Sequence, residues 1–178
     1  MDFSQTAFKD IFRVRLNKSQ ISELEKIISD SKELFDELVS IIINGNKHEA
    51  FMASWVLQYA ALRKPEWFYQ YLPELLKSIE NKSSESVQRC IARVLWKTIL
   101  PDKHIGLIAQ KCFEWLENKQ GTITSKAFSI HILAKIIDHE PELCHEVKDI
   151  TESILPYASA GMTNAAEKLL KKIRKMGY

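Results

Sequence analysis

Apolar side chains recur along this chain at the i, i+3, i+4, i+7 spacing of an amphipathic helix, and no stretch alternates as a half-buried strand would. Ile21, Leu24, Ile27 and Ile28 form the first stripe. Leu34, Leu38, Ile41 and Ile42 form the second, which Asn44-Gly45 should stop. Ala53, Val56, Leu57 and Ala60 follow, ending at Lys64-Pro65, and then Phe68, Leu72, Leu75, Leu76 and Ile79. Ser83 or Ser84 is placed to cap a helix bearing Val87, Ile91, Val94, Leu95 and Thr98. Beyond Pro101 come Ile105, Ile108, Cys112, Phe113 and Leu116, and after Gly121-Thr122 come Ser129, Ile132, Leu133 and Ile136. Pro141 opens Leu143, Val147, Ile150 and Ile154, and Gly161 precedes Ala165, Ala166, Leu169, Leu170 and Ile173. The pattern predicts an all-α protein of about nine or ten helices.

These helices repeat. A shift of 38 residues carries Met52, Ala53, Val56, Leu57 and Ala60 onto Cys90, Ile91, Val94, Leu95 and Thr98, and then onto Phe128, Ser129, Ile132, Leu133 and Ile136. A further step of 37 carries Leu133 to Leu170. Two-helix units of about 40 residues are the currency of stacked helical solenoids. Pairs are expected at 31–62, 66–99, 103–138 and 142–176, within one domain over 1–178 whose residues 1–30 cap the first pair. Terminal units of such a stack are atypical because one face meets water.

The residues Leu72-Pro73-Glu74-Leu75-Leu76, followed by Ile79 and by Val87-Gln88-Arg89 with Ala92 and Leu95, resemble the HEAT repeat pattern. Ser125-Lys126-Ala127 through Leu133 and Thr163-Asn164-Ala165 through Leu170 are weaker echoes without the Arg. The resemblance implies an α-α superhelix of right hand, with about four HEAT-like pairs, in which second helices line a concave face.

On that assignment the concave columns can be written down. Phe51, Trp55 and Tyr59 lie at i, i+4 and i+8, hence on one helix face. The repeat shift carries them to Arg89, Arg93 and Lys97, and then to Ala127, His131 and Lys135. The last helix adds Lys168 and Lys172. The expected wall runs from aromatic to basic, with no acid in its columns. Segment charge agrees: residues 161–178 hold five Lys or Arg against one acid, whereas 121–160 hold three against six. Such a wall suits an acidic protein or peptide segment. The bland alternative is that Phe51 and Trp55 pack beneath the N-terminal cap and the lysines are an ordinary solvated face.

Composition narrows the function by exclusion. The 178 residues are 46% hydrophobic and 27% charged, with 5 Gly and 5 Pro, which excludes collagen and a turn-rich sandwich. A net charge of +2 implies no partner by itself. Three widely spaced cysteines, Cys90, Cys112 and Cys144, read as buried thiols rather than a disulfide framework. No apolar run approaches the ~20 residues of a membrane helix, and the first ten residues lack the form of a signal peptide, so a cytoplasmic location is expected. No nucleophile elbow, phosphate loop or zinc motif occurs, and no catalytic residue or cofactor is assigned. The segment Asp138-His139-Glu140-Pro141-Glu142-Leu143-Cys144-His145-Glu146 has metal-binding residue types at no recognised spacing. Acids at a helix start serve the macrodipole equally well.

The leading expectation is therefore a non-enzymatic binding or scaffold module. The alternative is a nucleic-acid-binding protein similar in architecture to HEAT-like DNA alkylation repair proteins, without an Asp placed to support glycosidic cleavage. An enzyme with no visible motif is the third reading.

Overall fold

The computed structural model describes residues 7–82, 85–119 and 121–178, and every regular element among them is helical. The proposed cap at Ser83 or Ser84 lies outside the described residues. The chain forms two compact units, the first ending at Thr98 and the second beginning at Ile99.

The first unit opens with a 3-10 turn, Phe8–Arg13, and continues as α1 (Lys18–Asp30), α2 (Lys32–Asn44), α3 (Lys47–Arg63), α4 (Pro65–Gln70), α5 (Leu72–Lys82) and α6 (Glu85–Lys97). Its helix starts are written locally. Asn17 caps α1 in a reciprocal box: its Oδ1 accepts from the Gln20 N–H at 3.0 Å, and the Gln20 side chain accepts from the Asn17 N–H at 2.9 Å. Asn46 and Glu49 repeat the device at α3, at 3.0 and 2.9 Å. Helix α3 is the centre of the unit: α1, α2, α6 and the 3-10 turn all pack on it. This explains its composition, because Ala50, Ala53, Val56, Leu57, Ala60 and Ala61 are all buried and the small residues admit close neighbours.

The second unit holds α7 (Ile105–Glu117), α8 (Ile123–Ile136), α9 (Cys144–Ile154) and α10 (Ala160–Lys175), with 3-10 turns at Asp102–His104, Pro141–Leu143 and Leu155–Tyr157. In each unit first helices pack on first helices and second on second: α2 on α5 and α3 on α6, then α7 on α9 and α8 on α10. Repeating pairs stacked in two layers are the architecture that the 38-residue periodicity predicts.

Three local expectations need correction. The stripe from Phe68 to Ile79 is two helices, broken at Tyr71. Pro73 causes the break, because it has no N–H for the Tyr69 carbonyl and its ring crowds that oxygen. Ile27 is 41% exposed, whereas Glu25 on the same helix is buried. At 100° per residue Ile27 lies about 93° from the centre of the Ile21, Leu24, Ile28 face, and Glu25 lies about 67° from it on the other side. In α9 the buried row is Cys144, Val147 and Thr151, while Ile150 and Ile154 are half-buried. Thr151 joins that row because its hydroxyl donates to the Val147 carbonyl at 2.6 Å.

The stop at Gly45 stands for a different reason from the expected one. Its φ is −67°, so the left-handed conformation of a glycine cap is not used. Space is the requirement: a Cβ here would sit 2.5 Å from the Ile41 carbonyl oxygen and 3.0 Å from Glu49 Oε2. Gly45→Ala should therefore lower stability by about 1–3 kcal/mol, the usual cost of an overpacked site. Chemical denaturation of the variant checks this, and an unchanged midpoint would contradict it.

Candidate functional site

The sequence-predicted columns fall in both units, and each unit holds its own part. In the first, Phe51, Trp55 and Tyr59 are the half-exposed row of the otherwise buried α3. Arg89 and Arg93 are half-exposed on α6, and Lys97 is exposed. Because α3 packs on α6, the two rows become neighbours. Phe51 and Trp55 are in ring contact at 5.6 Å. The Arg93 guanidinium lies 5.5 Å from the centroid of the Tyr59 ring, and its Nη1 donates to Gln58 Oε1 at 3.4 Å. Arg93 is thus held over an aromatic face, and no carboxylate among the described residues pairs with it. Lys97 folds over the neighbouring Trp96, its Nζ 3.8 Å from that ring.

In the second unit His131 and Lys135 are half-exposed on α8, and on α10 Lys168 is exposed and Lys172 half-exposed. Burial pushes the Lys135 amine down from its ordinary range. Lys172 donates to Asp138 Oδ2 at 2.6 Å and to the Ala134 carbonyl. Asp138 stands just beyond α8, outside the column that sequence spacing selects, so the absence of acids from the columns did not forecast this pairing. Lys172 both caps the end of α8 and ties α10 to it. A ligand carboxylate would have to compete with Asp138 for this amine.

Trp55 and Tyr59 are half-exposed and face the N-terminal segment across a gap. They border an open cleft of about 630 Å³ whose other lining comes from residues 15–18 and from Ile21, Ser22 and Glu25 of α1. Sequence reasoning treated residues 1–30 only as a cover and missed these contributors. One signal was available. Arg15 and Lys18 flank the start of α1, whose first turn carries no acid, although the macrodipole favours anions there.

Two charge pairs hold this N-terminal segment to α3. Arg13 Nε reaches the buried Glu49 at 3.4 Å, and Arg63 pairs with the buried Glu25. The Asn46 N–H above all, opposed by desolvation and aided by Arg13, holds the Glu49 carboxyl below the ordinary carboxylate range.

The segment 138–146 does not converge on a point. Asp138 is bound to Lys172, Cys144 is buried, and the His145 ring meets that of Tyr178 at 5.2 Å. The hydrogen bond with Glu142, together with its charge, raises the Glu140 carboxyl from its ordinary value. Among the described residues no three His, Cys, Asp or Glu side chains are grouped to hold a metal ion. No helix among them is long and apolar enough to cross a membrane.

No curated protein and no solved structure matches the chain. The family model described as HEAT repeat domain matches residues 8–173, from the opening 3-10 turn to all but the last two residues of α10. With the paired, layered helices, this match shows that the chain belongs to the HEAT repeat domain family.

Proposed function

We propose that the protein is a non-enzymatic binding module that engages an acidic protein or peptide segment on the face carried by α3 and α6. The observation that carries this reading is the Tyr59–Arg93 contact. It sets an aromatic row beside a guanidinium row on the side of both helices that remains open to solvent. Aromatic and Arg side chains contribute most to interface energetics, and a guanidinium already stacked on a ring loses little freedom on binding. The second unit carries basic side chains of its own, His131, Lys135, Lys168 and Lys172, with Lys168 the most accessible of them. The family supports the general role, since helical repeats present extended surfaces to partners.

Panning a random peptide display library on the purified protein tests the reading. Enriched sequences should be rich in Asp and Glu. Alanine substitution of Trp55, Tyr59, Arg89 or Arg93 should each weaken the selected peptides by about 2 kcal/mol where the residue is central, roughly 30-fold in Kd. Four variants that bind as the parent does would end the proposal. Selected peptides without acidic bias, together with a DNA gel shift that weakens with salt at a log–log slope near −0.9 per neutralised phosphate, would move the assignment to nucleic acid.

A further inference from the structure

The cleft beside Trp55 deepens that reading, on which it rests in requiring an acidic partner. It lies where the 14–17 connection, α1 and α3 meet. The buried side chains Leu16 and Ile21 supply an apolar interior, the half-buried Trp55 and Tyr59 supply aromatic surface, and the exposed Arg15 and Lys18 supply charge. Its volume of about 630 Å³ is within the range of cavities that bury an organic ligand, roughly 300–1,000 Å³.

The electrostatics select the occupant. Among the described residues Glu25 is the only acid in the lining, and Arg63 already neutralises it. Arg15 and Lys18 have no ion-pair partner among the described residues. Both cations also lie at the N-terminal end of α1, where the helix dipole adds positive potential instead of relieving it. The cleft therefore combines an apolar, aromatic interior with two unbalanced positive charges at its mouth. A wholly apolar ligand would leave those charges unanswered, and a highly charged chain without an apolar group would leave the interior wet.

We propose that this cleft binds a peptide segment in which an apolar or aromatic side chain is flanked by carboxylates. The apolar side chain enters between Trp55, Tyr59, Leu16 and Ile21, and the flanking carboxylates meet Arg15 and Lys18. Tyr59 touches Arg93 and also lines the cleft, so a segment seated here continues directly onto the α6 cations.

The test uses the full chain and an acetylated, amidated pentapeptide of sequence Asp-Glu-Phe-Glu-Asp. Heteronuclear NMR follows the titration, with the Trp55 indole N–H identified through Trp55→Phe. Saturable shifts are expected at that indole and at the amides of residues 15–22. Replacing the peptide's Phe by Ser should weaken binding roughly tenfold, and so should the double variant Arg15→Glu/Lys18→Glu. Ser22→Trp, at an exposed position on the lining, should fill the cleft and abolish binding while leaving the melting temperature near that of the parent. Unchanged affinity in both cleft variants overturns the inference. If affinity is unchanged there but lost in Arg89→Glu/Arg93→Glu, the acidic-segment reading stands without the cleft. No saturable shift at millimolar peptide overturns both.

Discussion

Leu169→Ala should lower the unfolding free energy by about 2–5 kcal/mol, a large share of the ~5–15 kcal/mol that holds a typical domain folded. Leu169 is 1% exposed on α10, in the row formed with Met162, Ala165, Ala166, Leu170 and Ile173. That row packs on α8, and α10 also meets α9. The alanines beside Leu169 are already small, so little side chain is available to refill the space it leaves. Leu170→Ala should cost about 2–4 kcal/mol by the same physics. Lys171 and Lys175 are exposed on the same helix. Their reversal to Glu should move stability by less than about 0.5 kcal/mol. Urea unfolding monitored by circular dichroism measures all three. A Leu169→Ala midpoint equal to that of the parent would mean that α10 is not docked as described.

The second large effect concerns Cys112. This thiol is fully buried between α7 and its neighbours, and burial, opposed weakly by Ser129, raises its pKa far above the ordinary thiol value. Only a thiolate attacks a disulfide reagent, so native Cys112 should react through opening of the fold and no other route. If opening costs at least ~4 kcal/mol, the slowing is about a thousandfold relative to the denatured chain. The same shift makes stability depend on pH. The folded state keeps the proton above the unfolded thiol pKa of about 8.5, while the unfolded state loses it. Stability is thus complete below about pH 8.5 and falls as pH rises beyond it, by up to about 1.4 kcal/mol per pH unit for this group. Cys112→Ala should reduce that alkaline slope. Cys90 and Cys144 are raised by burial too and should add to it in the parent. Rapid thiol labelling in native buffer, or a flat profile between pH 8 and 10, would contradict the buried placement.

The site was legible only in part. Rows such as Phe51, Trp55, Tyr59 and Arg89, Arg93, Lys97 follow from helical spacing plus the repeat shift, and they are the open sides of α3 and α6. Spacing could not reveal that Arg93 stacks on Tyr59 whereas Lys172 is spent on Asp138, because each partner lies 34 residues away in sequence. Nor could it reveal the cleft, whose two sides come from residues 15–25 and from Trp55 and Tyr59.

The sequence by itself determined the helical class, the repeating pairs and the buried rows of α3, α6, α8 and α10. It could do so because the 3.6-residue period ties each side chain's direction to its place in the local sequence, and a helix with an apolar row must bury it. Capping boxes such as Asn17–Gln20 and Asn46–Glu49 span three residues and are equally local. Only the tertiary structure decided which helix meets which row, and therefore which polar groups are answered. It buried Glu25 against Arg63 and left Ile27 in water. It joined Lys172 to Asp138, and it opened a basic-rimmed cleft where the N-terminal segment passes α3. The physical reason is reach: period and capping act within a turn or two of helix, whereas charge pairing and cavities depend on surfaces that only packing brings together.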